Sequence, residues 1–242
     1  MADTPKTARV RPETPAMLDR RERILAAAEL RFAEFGFGAT TVRQIADDVD
    51  ILSGSLYHHF ATKEEILGEI VREAVLRLHR ISVGIAAAPA DAELRLVALI
   101  LADLGELTAH QSVHAILFNE RKFFRRSADF AYLMKAKKET YEAWQTVLSD
   151  GSSEGLFRPD IDVFLTISTI VRLLNAGADW YTHEDGSPLD ALKNFSLDEL
   201  TDFYLAFILR AVRTADRAGN PVPREAAQKL VGLAQGSQPS AC

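Results

Sequence analysis

Cysteine is almost absent from this chain, whose one thiol, Cys242, is the last of its 242 residues. A single cysteine cannot build the disulfide framework of a small secreted protein, so we expect a protein of a reducing compartment, the cytoplasm. The chain also lacks a run of about 18 apolar residues and an apolar signal core at its N-terminus. We therefore expect neither a membrane span nor secretion.

The sequence motifs of common enzyme classes are missing as well. There is no glycine-rich phosphate loop, no nucleophile elbow and no active-site cysteine motif. His58 and His59 are adjacent, so their side chains would diverge on a helix. His110 and His114 are four residues apart, but no third metal ligand accompanies them. We expect no catalytic residue, no metal site and no cofactor.

The segment from Thr41 to Phe60 has the length and pattern of a helix-turn-helix, two short helices around a small core. Thr41 and the glutamine three residues later fit a capping box, so the first helix begins near Thr41. Asp50 tolerates the left-handed backbone that the turn needs. In the second helix, Leu56 and Phe60 would face the first, while the residues between them are small or hydrogen-bonding. Such a unit can place its second helix in the major groove of DNA.

Helical patterns before and after the helix-turn-helix segment would complete a three-helix domain. Before the segment, one apolar stripe on residues 20–35 contains Ile24, Ala28, Phe32 and Phe35. The glycines that follow should end this helix. After the segment, Thr62 with Glu65 fits a second capping box. Lys63 would lie in the first turn of the next helix, where exposed amides and the helix dipole favour a phosphate.

The stretch from about Arg20 to Ile70 resembles the DNA-binding domain of the TetR family of bacterial one-component regulators. Four elements that recur in order carry the resemblance: Phe32-Ala-Glu-Phe-Gly36, Thr41-Val-Arg-Gln-Ile-Ala46, Gly54-Ser-Leu-Tyr-His-His-Phe60 and Lys63-Glu-Glu65. The resemblance implies an all-helical homodimer, usually a repressor, with a larger C-terminal domain for ligand binding and dimerisation.

The resemblance also implies roles for individual residues of this segment. The residues expected to hold DNA phosphates are Thr41, Arg43, Tyr57 and Lys63. Those expected to touch bases are Ser53, Ser55 and His58, and Gly54 would allow a close approach of the backbone. The chain departs from the family pattern, which usually has glycine at Asp50, a serine cap at Leu52 and often lysine at Ser53. We therefore expect a slightly reshaped turn and one phosphate contact fewer.

The net charge of −6 is unusual for a DNA-binding protein. Residues 1–63 contain nine Lys or Arg and nine Asp or Glu, so the acidic excess lies wholly in the rest of the chain. DNA binding requires a local basic face rather than a basic protein. Arg9 and Arg11 could supplement that face by reaching a minor groove. The alternative for this proline-punctuated tail is simple disorder, because short polar termini are normally mobile.

The rest of the chain has helical patterns separated by polar loops, which predicts an all-α fold. The expected helices cover residues 64–88, 94–110, 113–124, 132–149, 162–181 and 197–213, with loops at 151–160 and 183–188. The expected domains are a disordered tail at 1–15, the helix-turn-helix domain at 16–63, a ligand-binding and dimerisation domain at 64–217, and a mostly disordered tail at 218–242. A short helix at 224–233 is the one element considered within that last tail.

The helices at 162–181 and 197–213 carry more apolar surface than one core-facing stripe needs. Such an excess predicts a dimer surface. The resemblance implies the same surface, a four-helix bundle across a two-fold axis. The alternative is that both helices are buried within one subunit.

A looser similarity concerns the ligand. Residues 51–60 and the loop at 155–163 resemble a subgroup of TetR regulators that sense acyl-coenzyme A thioesters in lipid or steroid breakdown. The segment 119–126 places four cations beside two phenylalanines, a composition that suits phosphates and an acyl or adenine group. The candidate ligand residues are Arg121, Phe124, Arg125, Trp144, Arg172 and Trp180. The alternatives are a solvated charged helix face and an ordinary aromatic core.

The sequence therefore predicts a transcriptional repressor that binds a palindromic DNA operator as a dimer and is released by a small-molecule effector, such as an acyl-CoA thioester. Two other functions stay open at this point. One is an acyl-CoA-handling enzyme that carries a helix-turn-helix, which paired acid and base residues in a pocket would favour. The other is an effector-free DNA-organising protein, which a filled C-terminal core would favour.

Overall fold

The computed structural model describes the backbone of residues 15–182 and 195–236 and the side chains of residues 19–175 and 195–236. The described residues are helical and contain no β-strand beyond one isolated bridge between Phe157 and Arg213. The predicted all-α fold class is confirmed. The helices are α1 Pro15–Phe35, α2 Val42–Asp48, α3 Ser53–Leu56, α4 Lys63–Ala86, α5 Ala92–Ala109, α6 Gln111–Asn119, α7 Arg121–Arg126, α8 Ala131–Ser153, α9 Val163–Thr182, α10 Leu197–Val212 and α11 Arg224–Gly236.

The chain divides into two compact units, residues 1–70 and residues 71–242. The boundary falls inside α4, whereas the sequence places the domain boundary at residue 63, where α4 begins. The first fourteen residues of the expected N-terminal tail lie outside the described part of the chain, as do residues 237–242.

The N-terminal unit has a small core that α1, α2 and α3 share. Ile24, Ala28 and Phe32 of α1 are fully buried, as the apolar stripe predicts. The assignment of Phe35 to that stripe is wrong, because its side chain is 55% exposed. Phe37 takes its place in the core and packs edge-on against Phe32, with ring centroids 5.2 Å apart. Phe37 rather than Phe35 lies in the core because the chain reverses its direction directly after α1.

Local hydrogen bonds place the helix ends where the sequence predicts them. Gly36 ends α1 with a φ of 82°, and its amide donates to the Phe32 carbonyl at 3.1 Å. Thr41 and Gln44 form the expected capping box at the start of α2. At the start of α4, the Glu65 amide donates to the Thr62 hydroxyl at 3.0 Å. These ends depend on neighbouring residues only, which is why the sequence reveals them.

The larger unit is built around α5. This helix is buried along most of its length and contacts α8, α9, α10 and α11. Its start is capped by Asp91, whose carboxylate accepts the Leu94 amide at 2.8 Å. Trp144, Phe157 and Tyr204 are among the large side chains of the core around it.

Two expected segments of the larger unit differ in the structure. The single helix expected at 113–124 is two helices, α6 and α7, because the backbone at Glu120 leaves the helical region. Part of the expected loop at 151–160 is helical, since α8 continues to Ser153. Gly151 permits this packing, because a Cβ there would lie 2.0 Å from the Phe157 ring, in the space that the ring fills.

The short helix considered at 224–233 is present in the segment after residue 217, and it extends to residue 236. These residues form α11, which packs against α5 with Ala227 fully buried. The approach to α11 is held by Arg213, which donates to the carbonyls of Asn220 and Pro221 and to the buried Glu93 carboxylate. The sequence indicates the helix at 224–233, but its packing against α5 becomes visible only in the structure.

The turn between α2 and α3 gives a first testable prediction. Asp50 has a φ of 55°, the left-handed region that disfavours side chains with a Cβ. Asp50→Gly should therefore stabilise the N-terminal unit by about 0.5–1 kcal/mol. The same change at the exposed Asp47, inside α2, should destabilise it slightly, by about 0.3 kcal/mol, because glycine is a somewhat poorer helix former than aspartate. Hydrogen exchange of residues 45–56 measures both, and faster exchange after Asp50→Gly than in the parent would contradict the expectation.

Candidate functional site

The first candidate site is the outward face of α3, a helix of only four residues. Two side chains, Leu56 and Phe60, hold it to the core, and both are buried. Its N-cap residue, Leu52, makes no side-chain cap and is 80% exposed. The structure thus shows the departure at this position directly: an apolar residue on the surface where a hydroxyl cap would otherwise lie.

The polar residues of the segment lie on the other side of α3. Gly54, Tyr57 and His58 are exposed, and Ser53 and Ser55 are half-buried. Among the residues that the structure describes, none offers a hydrogen bond to the side chains of these serines, of Tyr57 or of His58. Their donors and acceptors are therefore open to an external partner, and their assignment as base or phosphate contacts stays a prediction.

Gly54 lies in the middle of this face. A Cβ at this position would meet no atom of the described residues within 4 Å, and the backbone is not in the left-handed region. No described residue therefore requires glycine here. The backbone of Gly54 is open to a partner that approaches the helix from outside.

The three remaining candidate residues of this unit differ in their exposure and in the hydrogen bonds that they make within the protein. Thr41 and Arg43 are exposed at the start of α2. Lys63 is half-buried, and its ammonium donates to the carbonyls of Phe37 and Thr40, each at 2.7 Å. Two of the three N–H groups of Lys63 thus hold the α1–α2 turn, which leaves one for the predicted phosphate.

The acidic residues near this face are partly neutralised. Asp48 is paired with Arg31, and the hydrogen bond from that guanidinium lowers the pKa of the Asp48 carboxyl. Asp47 lies 3.8 Å from the Arg43 guanidinium. These pairs reduce the repulsion that a polyanion would otherwise meet at α2.

The second candidate site is a cavity of about 350 Å³ in the larger unit. A second cavity of about 580 Å³ shares much of its wall. Most of the wall is apolar and comes from the later part of α4 and from α5, α6, α8 and α9. The apolar lining includes Val75, Leu107, Leu117, Phe118, Trp144 and Leu174.

A few polar side chains interrupt this apolar wall. Burial raises the pKa of Asp103 to about 7, with the Glu106 carboxylate adding to the rise. Burial lowers the pKa of His114 to about 4. Desolvation also lowers the pKa of Lys137, although part of its side chain reaches solvent. An apolar wall with few convergent polar groups is the usual form of a small-molecule site.

The ligand candidates from the sequence fall into different places. Arg121 lines both cavities, Trp144 lines the first and Arg172 lines the second. Phe124 does not line either one, since it is buried against Phe130 with ring centroids 5.0 Å apart. Arg125 is exposed outside the lining. The side chain of Trp180 lies outside the described residues.

Sequence reasoning missed Asp103 and did not assign Lys137 or His114 to a ligand site. The signal for Asp103 was present, since it is an acidic residue inside the strongly apolar pattern of α5. Over the described part of the chain, no three His, Cys, Asp or Glu residues come together as a metal site would need. No described helix is long and apolar enough to cross a membrane.

The two helices expected to form a dimer surface divide their apolar residues between two sides. Ile167, Leu174 and Tyr204 are buried in the core of the same subunit, so part of the expected surface is internal. Other apolar residues lie on the surface. These are Phe164 and Leu165 on α9, and Phe203 and Phe207 on α10, which are 60% and 53% exposed and stack with ring centroids 6.1 Å apart.

Comparison with known proteins agrees with both units. A family model described as bacterial regulatory proteins, tetR family, matches residues 24–70, and one described as a tetracyclin repressor-like C-terminal domain matches residues 89–212. The HTH-type transcriptional repressor KstR2 of Mycobacterium tuberculosis is 36% identical over 196 residues, which is 80% of this chain and 92% of the relative. KstR2 of Rhodococcus jostii is 38% identical over 169 residues, covering 70% and 83%.

A solved structure supports the same grouping. The structure of the ketosteroid transcriptional regulator KstR2 of Mycobacterium tuberculosis superposes with a TM-score of 0.71 and 34% sequence identity. The match covers 81% of this chain and 95% of that chain. These relatives are regulators and not enzymes.

Proposed function

Because the chain belongs to the TetR family of bacterial regulatory proteins, we propose that it represses transcription by binding a palindromic DNA operator as a homodimer, and that a small molecule in its cavity releases it. Membership of the family makes the chain a DNA-binding transcriptional regulator. The observation that carries the DNA-binding proposal is the outward face of α3, whose polar side chains have no partner among the described residues.

The proposed DNA contacts follow from the geometry of that face. Ser53, Ser55 and His58 would reach base edges in the major groove, with Gly54 letting the backbone come close. The exposed Thr41 and Arg43 would bind phosphates from the start of α2, together with Tyr57. Lys63 would add its remaining N–H, while its other two keep the turn in place.

The proposed dimer forms through the exposed side of α9 and α10. Four large apolar side chains lie on these two helices in contact with solvent in the single chain, which is costly for a monomer. A two-fold operator requires two reading helices, and the dimer supplies them at a fixed spacing.

The proposed effector is an acyl-CoA thioester. The apolar cavity suits an acyl group, and Arg121 at its wall suits a phosphate. Helix α7 contains three further cations close to Arg121 in the sequence. All three are exposed: Lys122, Arg125 and Arg126. A relative described as a ketosteroid regulator supports an effector from lipid or steroid breakdown.

Release would be a shift of population between two dimer arrangements. The ligand must bind more tightly to the arrangement whose α3 helices no longer match the half-site spacing, since only a difference in affinity moves the equilibrium. The alternative of an enzyme is set aside, because the relatives of this chain are regulators. An effector-free organising protein would be supported by a filled core, and the cavity argues against it.

Gly54→Ala tests the DNA face. The new methyl group meets no atom of the described residues within 4 Å, so the fold and its melting temperature should be retained. Operator affinity should fall by at least about tenfold, because the methyl group holds the backbone away from the DNA. Binding is measured by fluorescence anisotropy on a duplex selected from a random pool.

The matched control is Gly232→Ala, a helical glycine of the larger unit with equally open surroundings. It should leave operator affinity unchanged. Wild-type affinity after Gly54→Ala would show that DNA does not approach α3 closely.

Phe203→Asp tests the dimer. A carboxylate in the apolar surface should convert the protein to a monomer and weaken operator binding by at least about tenfold, because one half-site contact is lost. Light scattering after size exclusion gives the mass. Val83→Asp, at an exposed apolar residue of α4, is the control and should remain dimeric. A protein that stays dimeric after Phe203→Asp would place the interface elsewhere.

Arg121→Met tests the effector class. Cyclohexanecarbonyl-CoA should release wild-type protein from its operator, and the variant should need at least about tenfold more of it, since one charge-assisted hydrogen bond is lost. Lys229→Met removes an exposed charge from α11, outside the wall of either cavity, and serves as the control. Equal release by free cyclohexanecarboxylate would argue against recognition of the CoA phosphates.

A further inference from the structure

Leu52 is an apolar residue on the exposed side of the helix-turn-helix. Its side chain is 80% exposed, more than that of any other large hydrophobic residue that the structure describes. It stands directly before Ser53, the first residue of α3, and its backbone is extended, with a φ of −70° and a ψ of 141°. Leucine therefore occupies the N-cap of α3, and its side chain lies outside the core that Leu56 and Phe60 share.

This leucine does not help the fold. It cannot accept a hydrogen bond from the first amides of a helix, and α3 has no side-chain cap. Its apolar surface gains nothing from burial in the free protein. The other helices of this segment have a hydroxyl cap, since Thr41 caps α2 and the Thr62 hydroxyl accepts the Glu65 amide at the start of α4. The shortest of the three helices thus lacks a cap, while the leucine in its place stays in solvent.

The surroundings of Leu52 favour DNA as the partner that covers it. The side chain directly precedes the exposed or half-buried polar residues of α3, among them Ser53 and His58. A recognition helix lies in the major groove with its N-terminal residues at the base edges, and Leu52 is at that end of α3. A protein partner would need about 800 Å² of complementary surface, far more than one leucine among hydroxyl and imidazole groups provides.

The chemistry of the major groove leaves one group that matches leucine. The base edges there present hydrogen-bond donors and acceptors, and thymine alone adds an apolar group, its C5 methyl. Leucine against a donor or acceptor would remove water from a polar atom without replacing its hydrogen bond. Leucine against the methyl group removes apolar surface of both partners from water, which is favourable.

We propose that Leu52 contacts the C5 methyl group of a thymine in each half-site of the operator and thereby selects thymine at that position. The inference rests on the proposed function, because it takes the outward face of α3 as the surface that reads DNA. It adds an apolar specificity residue to the hydrogen-bonding candidates Ser53, Ser55 and His58. The uncapped start of α3 is then a cost in folding stability that the contact with DNA offsets.

Deoxyuridine in place of thymidine tests this contact, since it removes the methyl group and keeps the base pair. The full chain first selects a palindromic duplex from a random pool. Each thymine of one half-site is then replaced together with its symmetry mate, and affinity is measured by fluorescence anisotropy. At one thymine position the wild-type affinity should fall by about tenfold, because one methyl contact is lost in each half-site. 5-Bromodeoxyuridine, whose bromine is close to a methyl group in size, should restore most of the affinity.

Leu52→Ser separates this leucine from other causes of sensitivity to uracil. Serine supplies the missing hydroxyl cap, so the melting temperature should not fall. At the sensitive position the variant should bind the thymine and uracil duplexes with affinities within about twofold of each other, because the two changes remove the same contact. Leu52→Met keeps an apolar side chain of similar volume and should retain most of the wild-type preference.

The matched control is Leu30→Ser, which changes another leucine of the same unit, 64% exposed on α1. It should lose affinity on the uracil duplex as the wild type does. The inference is overturned if no thymine position responds to uracil, if Leu52→Ser keeps the wild-type response, or if Leu30→Ser abolishes it equally. Failure of the proposed function gives a different result, since a protein that does not read DNA selects no duplex from the pool, and the inference then falls with it.

Discussion

The burial of α5 on nearly every side is the constraint on which the larger unit depends. An apolar helix of this length requires other helices around it, and α8, α9, α10 and α11 provide that cover. Each charged residue on such a helix must then find a partner or face an opening. Glu93 and Arg95 organise the end of α5 toward the loops and α11, and Glu106 binds Arg77 of α4. The cavity lies where this pairing stops, at Asp103. The same requirement thus explains both the cohesion of the unit and the position of the cavity.

The N-terminal unit is stabilised differently, because its hydrophobic core is small. Four helical residues form α3, and two apolar anchors, Leu56 and Phe60, hold them in place. The rest of the small structure comes from local hydrogen bonds: the capping box at Thr41, the reversal at Gly36, and the ammonium of Lys63 on two carbonyls. Because only two side chains anchor α3 in the core, its polar side chains remain on the surface.

Sequence reasoning succeeded where the cause of a structure lies within a few residues. Asp50 in a left-handed turn and the capping box that Thr41 forms at the start of α2 are examples. It failed where the cause lies far along the chain. Phe35 has the right spacing for the core but is displaced by Phe37 after the reversal, and the packing of α11 on α5 does not follow from the local pattern of residues 224–233. The candidate residues on α3 follow a local pattern. The cavity does not, because it is assembled from six helices, so the place of Asp103 in its wall could be recognised only once its neighbours were known.

The outward side chains of α3 contribute nothing to the core, and this independence has an evolutionary consequence. Ser53, Ser55 and His58 can be exchanged for other polar residues with little change in folding stability, because only Leu56 and Phe60 secure the helix. If these residues contact DNA as proposed, a few substitutions after a gene duplication would give the two copies different target sequences while their larger units remained the same. Divergence of the larger unit is slower by comparison, since a new charge on α5 needs a compensating change on another helix.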